Sequence, residues 1–157
     1  MTITQHDPEW GAMTFDHGEW TLERQAFVGD YEVPIQVEPE AGSQDISPLQ
    51  RQAVRDALAL SPAALQASAS AVVQNYEVYR EMMGDAEMPP LSDPMDVWNE
   101  VTPSSIAVPP HADEGVNVPS FLLLAECSWD AEHGLTVRFR NGIADAADQQ
   151  GELGLSD

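Results

Sequence analysis

Short strand-like stretches, then a helical block, then strand-like stretches again: this order predicts an α+β fold. The expected form is a single domain with a mostly antiparallel sheet and a central helical region, two to three helices, packed on one face. Three observations carry that expectation. Alternating apolar and polar residues mark 13–37 and recur from 104 to 147. Between them, Ser47-Pro48 and Ser61-Pro62 open segments of helical periodicity. Strands and helices do not alternate singly, so a parallel doubly wound sheet is not expected. The 157 residues suit one domain, expected over 13–147, between a flexible N-terminal arm at 1–12 and a flexible acidic tail at 148–157.

The elements follow in order. MTFDHGEWTL, residues 13–22, reads as a hairpin. Phe15 and Trp20 flank its turn, and Gly18 supplies the positive φ that side chains disfavour. YEVPIQVE sets Tyr31, Val33, Ile35 and Val37 on one face. Pro34 has no N–H to give a ladder, which predicts an edge position. After a loop, Ser47, Pro48 and Gln50 form a helix N-cap with capping-box spacing. Pro62 removes the N–H that would bond the carbonyl of Leu58, so the helix breaks or kinks there. Beyond it, Leu65, Ala69, Val72, Tyr76, Tyr79 and Met83 form one apolar stripe, and Gly84 closes the helix. Asp93-Pro94 opens a short helix carrying Val97 and Trp98. A short strand at 104–108 stops at Pro109-Pro110, and HADEGVN is a loop. Residues 121–127 are the most apolar strand and are expected at the sheet centre. Leu135, Val137 and Phe139 alternate with Thr136, Arg138 and Arg140, so one face of that strand should be buried. One of its arginines is expected to pair with Glu126 across the ladder. Asn141-Gly142 predicts a last hairpin.

Charge is the compositional outlier. Twenty-seven acids stand against six bases, a net charge of −21, and all six bases are arginine. This balance argues against nucleic acid or an anionic membrane as partner and fits a basic protein. The acids are uneven: residues 7–45 hold ten acids and only Arg24 as base, whereas 48–83 hold three acids and three arginines. Localised acidity favours a binding face over a uniformly charged surface. A single cysteine, Cys127, suits a reducing compartment. MTITQHDPEWGAM shows neither a basic n-region nor an apolar run, so a cytoplasmic location is expected.

The candidate site residues lie in three polar clusters: Asp16, His17 and Glu19; His111, Asp113 and Glu114; and CSWDAEHG, which holds Cys127, Trp129, Asp130, Glu132 and His133. A nucleophilic cysteine needs a neighbouring base, and Cys127 lies in an apolar strand with Thr136, not His133, expected opposite. Turn chemistry accounts better for the segment: Asp130 bonds backbone amides and Gly134 takes an unusual φ. His111, Asp130 and His133 make the metal alternative, at no recognised ligand spacing. No P-loop, G-x-G-x-x-G, G-x-S-x-G, H-E-x-x-H or C-x-x-C is present, and no catalytic residue or cofactor is expected.

CSWDAEHGLTVRFRNG, residues 127–142, resembles a C-x-W-D-x-E-H-G-h-x-V-x-F-x-N-G segment of a bacterial family known only as a domain of unknown function, where h is apolar. SDPMDVWNEVTPSSIAV and NYEVY extend the resemblance weakly. It implies a protein found near toxin systems, and some such proteins are suspected immunity factors. The resulting expectation is a non-enzymatic protein-binding protein. Asp16, Glu19, Asp113, Glu114, Trp129, Asp130, Glu132 and His133 would face a basic partner. Two other expectations stand beside it: a metal-dependent enzyme or metal-binding protein using the loop histidines and carboxylates, and a self-associating module using the helix at 62–83.

Overall fold

The computed structural model describes residues 2–156. Met1 and Asp157, the outermost residues of the expected arm and tail, lie outside the described residues. The strands are β1 (Ile3–Asp7), β2 (Gly11–Asp16), β3 (Glu19–Leu22), β4 (Ala26–Val28), β5 (Tyr31–Val33), β6 (Ile35–Val37), β7 (Val101–Val108), β8 (Ser120–Cys127), β9 (Leu135–Arg140) and β10 (Ile143–Asp148). Helices α1 (Pro48–Leu58) and α2 (Pro62–Met83) occupy the middle, followed by a 3-10 helix at Pro94–Glu100 and a single 3-10 turn at Ala112–Glu114. Eight strands form one sheet in the order β1-β2-β3-β6-β7-β8-β9-β10, while β4 and β5 form a separate ribbon. All neighbours are antiparallel except β6 and β7, which meet in a three-residue parallel ladder from Ile35↔Ile106 to Val37↔Val108. The protein is thus a single α+β domain, as expected.

Local chemistry sets the helix ends. Ser47 Oγ accepts from Gln50 N–H, and the Gln50 side chain accepts from Ser47 N–H, completing the capping box. Gln50 is fully buried and also donates its amide to the carbonyls of Glu38 and Pro109. One capping residue thereby fastens the loops that follow β6 and β7. Pro62 breaks the helix: α1 ends at Leu58 and Ser61 caps α2.

Burial explains the layering. Phe121, Leu123, Ala125 and Cys127 of β8 face the helices with Leu135, Val137 and Phe139 of β9, and all are at most 5% exposed. Phe121 and Phe139 stack at 4.7 Å. The helices contribute Ala53, Val54, Ala57, Leu65, Ala69, Val72 and Tyr76 to the same cluster. Ser68 Oγ of α2 accepts from the buried N–H of Ala144, tying the helix to β10.

Several expectations are corrected. Residues 3–7 are not a loose arm. They pair with β2, and Asp7 anchors their end by a bidentate bond to Arg51 (2.9 and 3.0 Å). YEVPIQVE is not one edge strand: Pro34 separates β5 from β6, and β6 lies inside the sheet between β3 and β7. Because Pro34 sits between strands, its missing N–H costs no ladder bond, and its carbonyl accepts from Ile106 N–H. Thr136 and Arg138 are buried as thoroughly as their neighbours, so β9 is covered on both faces. The cover is the C-terminal segment. Leu155 is fully buried, Arg138 donates to the Gly154 carbonyl, Arg140 to that of Leu155, and Gln150 to that of Ala125. The tail therefore packs as a strap and is not frayed. Both arginines meet Asp145, placed by a bulge in β10, instead of Glu126. Met83 leaves the apolar stripe and is 53% exposed.

Candidate functional site

Strand register decides which polar clusters meet. Trp20 pairs with Val37, and Val37 runs parallel beside Val108. The β2–β3 turn, the loop after β6 and the loop after β7 therefore share one end of the sheet. Asp16 and Glu19 lie at that end, as do Asp113 and Glu114 on the loop after β7. A shallow groove of about 170 Å³ lies between Glu19, Glu38 and Pro109. Asp113 and Glu114 are exposed on the 3-10 turn, and Glu114 accepts from Ser156 Oγ at 3.2 Å. Asp16 lies 3.1 Å from His17 Nδ1. His17 and Gly18 both take positive φ, which sets this tight turn.

The same end is clipped from within. Glu40 turns inward, and its carboxylate accepts from the N–H groups of His111 and Ala112. His111 is fully buried. Its Nε2 accepts from Ser120 N–H and its Nδ1 lies 3.0 Å from the Pro109 carbonyl, so Nδ1 carries the proton and donates. Burial pushes the His111 pKa down, against the opposing pull of the Pro109 carbonyl, Glu40 and Glu114. Both ring nitrogens are spent on the backbone, so this histidine organises the loop.

The third cluster occupies the other end of the sheet. Asp130 accepts from His133 N–H (3.0 Å) and from the hydroxyl of Tyr79 on α2 (2.7 Å), and His133 Nδ1 lies 3.1 Å from Asp130 Oδ1. Burial raises the Asp130 pKa, but the bonds from His133 and Tyr79 outweigh it and hold the carboxyl below its usual value. The bond to Asp130, aided by burial, pushes the Tyr79 hydroxyl up to about 12. Trp129 is buried edge-on against Tyr76, and its indole N–H donates to Asn75. Trp129 and Asp130 therefore hold this turn to α2, whereas Glu132 and His133 are exposed.

The expected hairpin geometry needs one correction. The ladder pairs Leu124 with Thr136 and Ala125 with Leu135, so Cys127, carried on in that register, points to position 133 and not 136. Cys127 is nevertheless 5% exposed, and burial pushes its thiol pKa up, which opposes a thiolate. Its Sγ lies 3.8 Å from the Asp130 carbonyl. Gly134 holds φ +69°, and a Cβ there would lie 2.9 Å from the Ala125 carbonyl, so glycine is required. His111 stands at the opposite end of the sheet from Asp130 and His133, so the three do not converge on one ion. No group of three or more metal-ligating side chains exists among the described residues.

Two features escaped the sequence. The links Glu40–His111 and Tyr79–Asp130 join residues 71 and 51 apart, and no local pattern signals them. A cleft of about 260 Å³ between the β4–β5 ribbon, the start of α2 and the 3-10 helix is likewise assembled from distant segments.

Residues 9–153 match a family described as a domain of unknown function, DUF6985. No curated protein and no solved structure matches the chain. No helix among the described residues is long and apolar enough to cross a membrane.

Proposed function

The chain belongs to this DUF6985 family, and from that premise we propose a non-enzymatic protein that binds a basic protein partner through its exposed carboxylates. The disposition of charge carries the reading. Five of the six arginines are turned onto carboxylates of their own chain: Arg51 onto Asp7 and Glu9, Arg55 onto Glu9, Arg80 onto Glu77 and Asp85, and Arg138 and Arg140 onto Asp145. Glu19, Asp113 and Glu132 have no ion-pair partner among the described residues, and Asp16 has only His17. Five bases are thus paired within the chain, while Glu19, Asp113, Glu114 and Glu132 stand among the negative charges at the two ends of the sheet. Such a field speeds encounter with a positive surface and disfavours nucleic acid and anionic membranes.

In its finer form, the protein is a bacterial, cytoplasmic immunity factor that occludes a basic toxin. The resemblance of residues 127–142 supports this form, as do the acidic loops. The test begins with the product of an adjacent toxin-like gene. Co-expression should protect growth, and the two purified proteins should associate. Raising salt from about 0.1 M to about 1 M, which shortens the Debye length from roughly 10 to 3 Å, should weaken the complex by slowing association. An affinity that does not change with salt, or survives Asp16→Asn/Glu19→Gln/Asp113→Asn/Glu114→Gln/Glu132→Gln unaltered, defeats the electrostatic reading.

A further inference from the structure

The eight-stranded sheet has two margins, β1 and β10, and they are finished differently. On β10 a bulge between Ala144 and Ala146 breaks the ladder, and the N–H of Ala144 is spent on Ser68 Oγ of α2. Asp145 of the same strand is turned onto Arg138 and Arg140. Bulges, charges and covering helices keep an edge from pairing with another strand. β1 has none of them. It runs against β2 without a register shift from Ile3↔Phe15 to Asp7↔Gly11, and Thr4, Gln5 and His6 are exposed. Residues 2–6 include no proline, lysine, arginine or acid.

Register shows which main-chain groups of β1 face outward. The β2–β3 turn has two residues, His17 and Gly18, so Asp16 and Glu19 close it as a hydrogen-bonded pair. Alternation then turns the main-chain groups of Thr14 and Ala12 toward β3 as well, and the Ala12 carbonyl indeed accepts from Glu23 N–H. Met13 and Phe15 are left for β1, where their partners are Gln5 and Ile3. Thr4 and His6 therefore direct their N–H and C=O groups away from the sheet. Among the described residues no other segment bonds to them. Such an edge is a template for one more extended strand.

Side chains and charge name the occupant as a second copy of this chain. On the sheet face opposite Phe15 and Trp20, Thr4, Thr14 and Thr21 stand side by side on neighbouring strands. An antiparallel twofold can set Thr4 opposite Thr4 of the second copy and Thr2 opposite His6. Each of these pairs then exchanges both main-chain bonds, and the row of threonines continues from one sheet into the next. Threonine pairs are favourable cross-strand neighbours, and a contact of this symmetry closes after two chains. Two molecules of net charge −21 repel each other, but residues 2–6 carry no carboxylate. The acids that follow, Asp7 and Glu9, are engaged by Arg51 and Arg55. Two copies thus meet along β1 without setting acid against acid, whereas a strand of a basic partner finds no carboxylate there to pair with.

We propose that β1 is the interface of a homodimer in which two sheets join edge to edge. The inference does not rest on the basic-partner reading. Contact along one strand is small, so association is weak, with Kd on the order of 0.1 mM. Sedimentation of the full chain at about 10 µM to 1 mM should show a monomer–dimer equilibrium. Raising salt from about 0.1 M to about 1 M screens the repulsion and should tighten the dimer at least about fivefold, the opposite sign to the effect expected on a basic partner. Amide exchange at Thr4 and His6 should slow as concentration rises, while Ile3 and Gln5, already bonded to β2, stay unchanged. Thr4→Pro removes an outward donor and no bond to β2, and should abolish the dimer with the fold intact. Thr4→Glu, which asks no backbone change, sets acid against acid at the twofold and should weaken the dimer at least about tenfold. A monomer at every concentration and salt overturns the proposal. So does a dimer that resists both variants or leaves the Thr4 and His6 amides open to exchange. Protection of those amides by added polylysine in place of self-association assigns the edge to a basic chain and overturns the second copy as its occupant.

Discussion

Replacing His111 with alanine should destabilise the fold by about 3 kcal/mol, and the structure shows where the loss arises. The side chain sits in a fully buried site, where Nε2 satisfies Ser120 N–H at 3.0 Å and Nδ1–H bonds the Pro109 carbonyl. Pro109 keeps a second donor, the Gln50 amide at 3.2 Å, so its carbonyl is not orphaned. The Ser120 amide is. Ser120 is itself fully buried, and leaving such a group unpaired costs about 1–3 kcal/mol. The vacated imidazole volume adds on the order of 1–2 kcal/mol of lost packing. Glu40 should still hold the backbone N–H groups of His111 and Ala112, so the loop loosens and does not detach. His111→Gln offers an amide oxygen to Ser120 and should cost only about 1 kcal/mol. Acid tests the same contact. The unfolded imidazole takes its proton near pH 6.5, and the buried one only at lower pH. In between, the unfolded state binds more protons, so stability is complete above that window and falls as pH drops through it. Urea denaturation followed by circular dichroism at about pH 7.5 and 5.5 measures both effects. The wild type should lose stability at the lower pH and His111→Gln should lose less. A loss below about 1 kcal/mol for the alanine variant, or parallel pH dependence in the two proteins, refutes the account.

Two further outcomes follow from the packing. The pair with Arg51 holds the Asp7 carboxyl below the usual carboxylate range, so its contribution is present above about pH 4 and is lost as pH falls through the folded value. Asp7→Asn should cost about 2 kcal/mol at neutral pH and flatten acid denaturation, read by the same method. Leu155→Ala should cost roughly 2–4 kcal/mol and expose the outer face of β9, detectable as faster amide exchange at Thr136 and Arg138; unchanged exchange there would show that the strap protects nothing.

What was legible in the sequence was local. Ser47 with Gln50, Ser61 with Pro62, and Asn141 with Gly142 each act over four residues or fewer, and their caps and turns appear where the residues place them. The stripe from Leu65 to Tyr79 was equally readable, because one helix face repeats a single environment. Several misreadings turn on segments remote in the chain. Arg138 looks solvent-facing because it is charged and alternates with apolar residues, yet Gly154 and Leu155 close over it. Pro34 looks like an edge marker, but it separates two strands of different sheets. The three polar clusters looked equivalent as motifs. Only register showed that two share an end and that His111 cannot reach Asp130. Trp129, expected among the partner-facing residues, proved to be the wedge between the last hairpin and α2. The cleft at Tyr31 and Trp98 had no sequence signature, since its walls come from four separated stretches.

The parallel ladder between β6 and β7 has a consequence for how the molecule is assembled. The strands before it and the strands after it pair with antiparallel neighbours, but within the sheet only three residue pairs join the two halves among the described residues. Those pairs lie across the whole chain segment between Val37 and Val101, which includes both long helices. Closing so long a loop is entropically slow and is rewarded only once the intervening helices lie on the sheet. Gln50, bonded at once to Glu38 and Pro109, acts as the latch on that closure. The seam thus divides the sheet into two leaves, and Gln50, the Glu40 carboxylate on His111 and Ala112, and the helices laid across the sheet supply the rest of the joint.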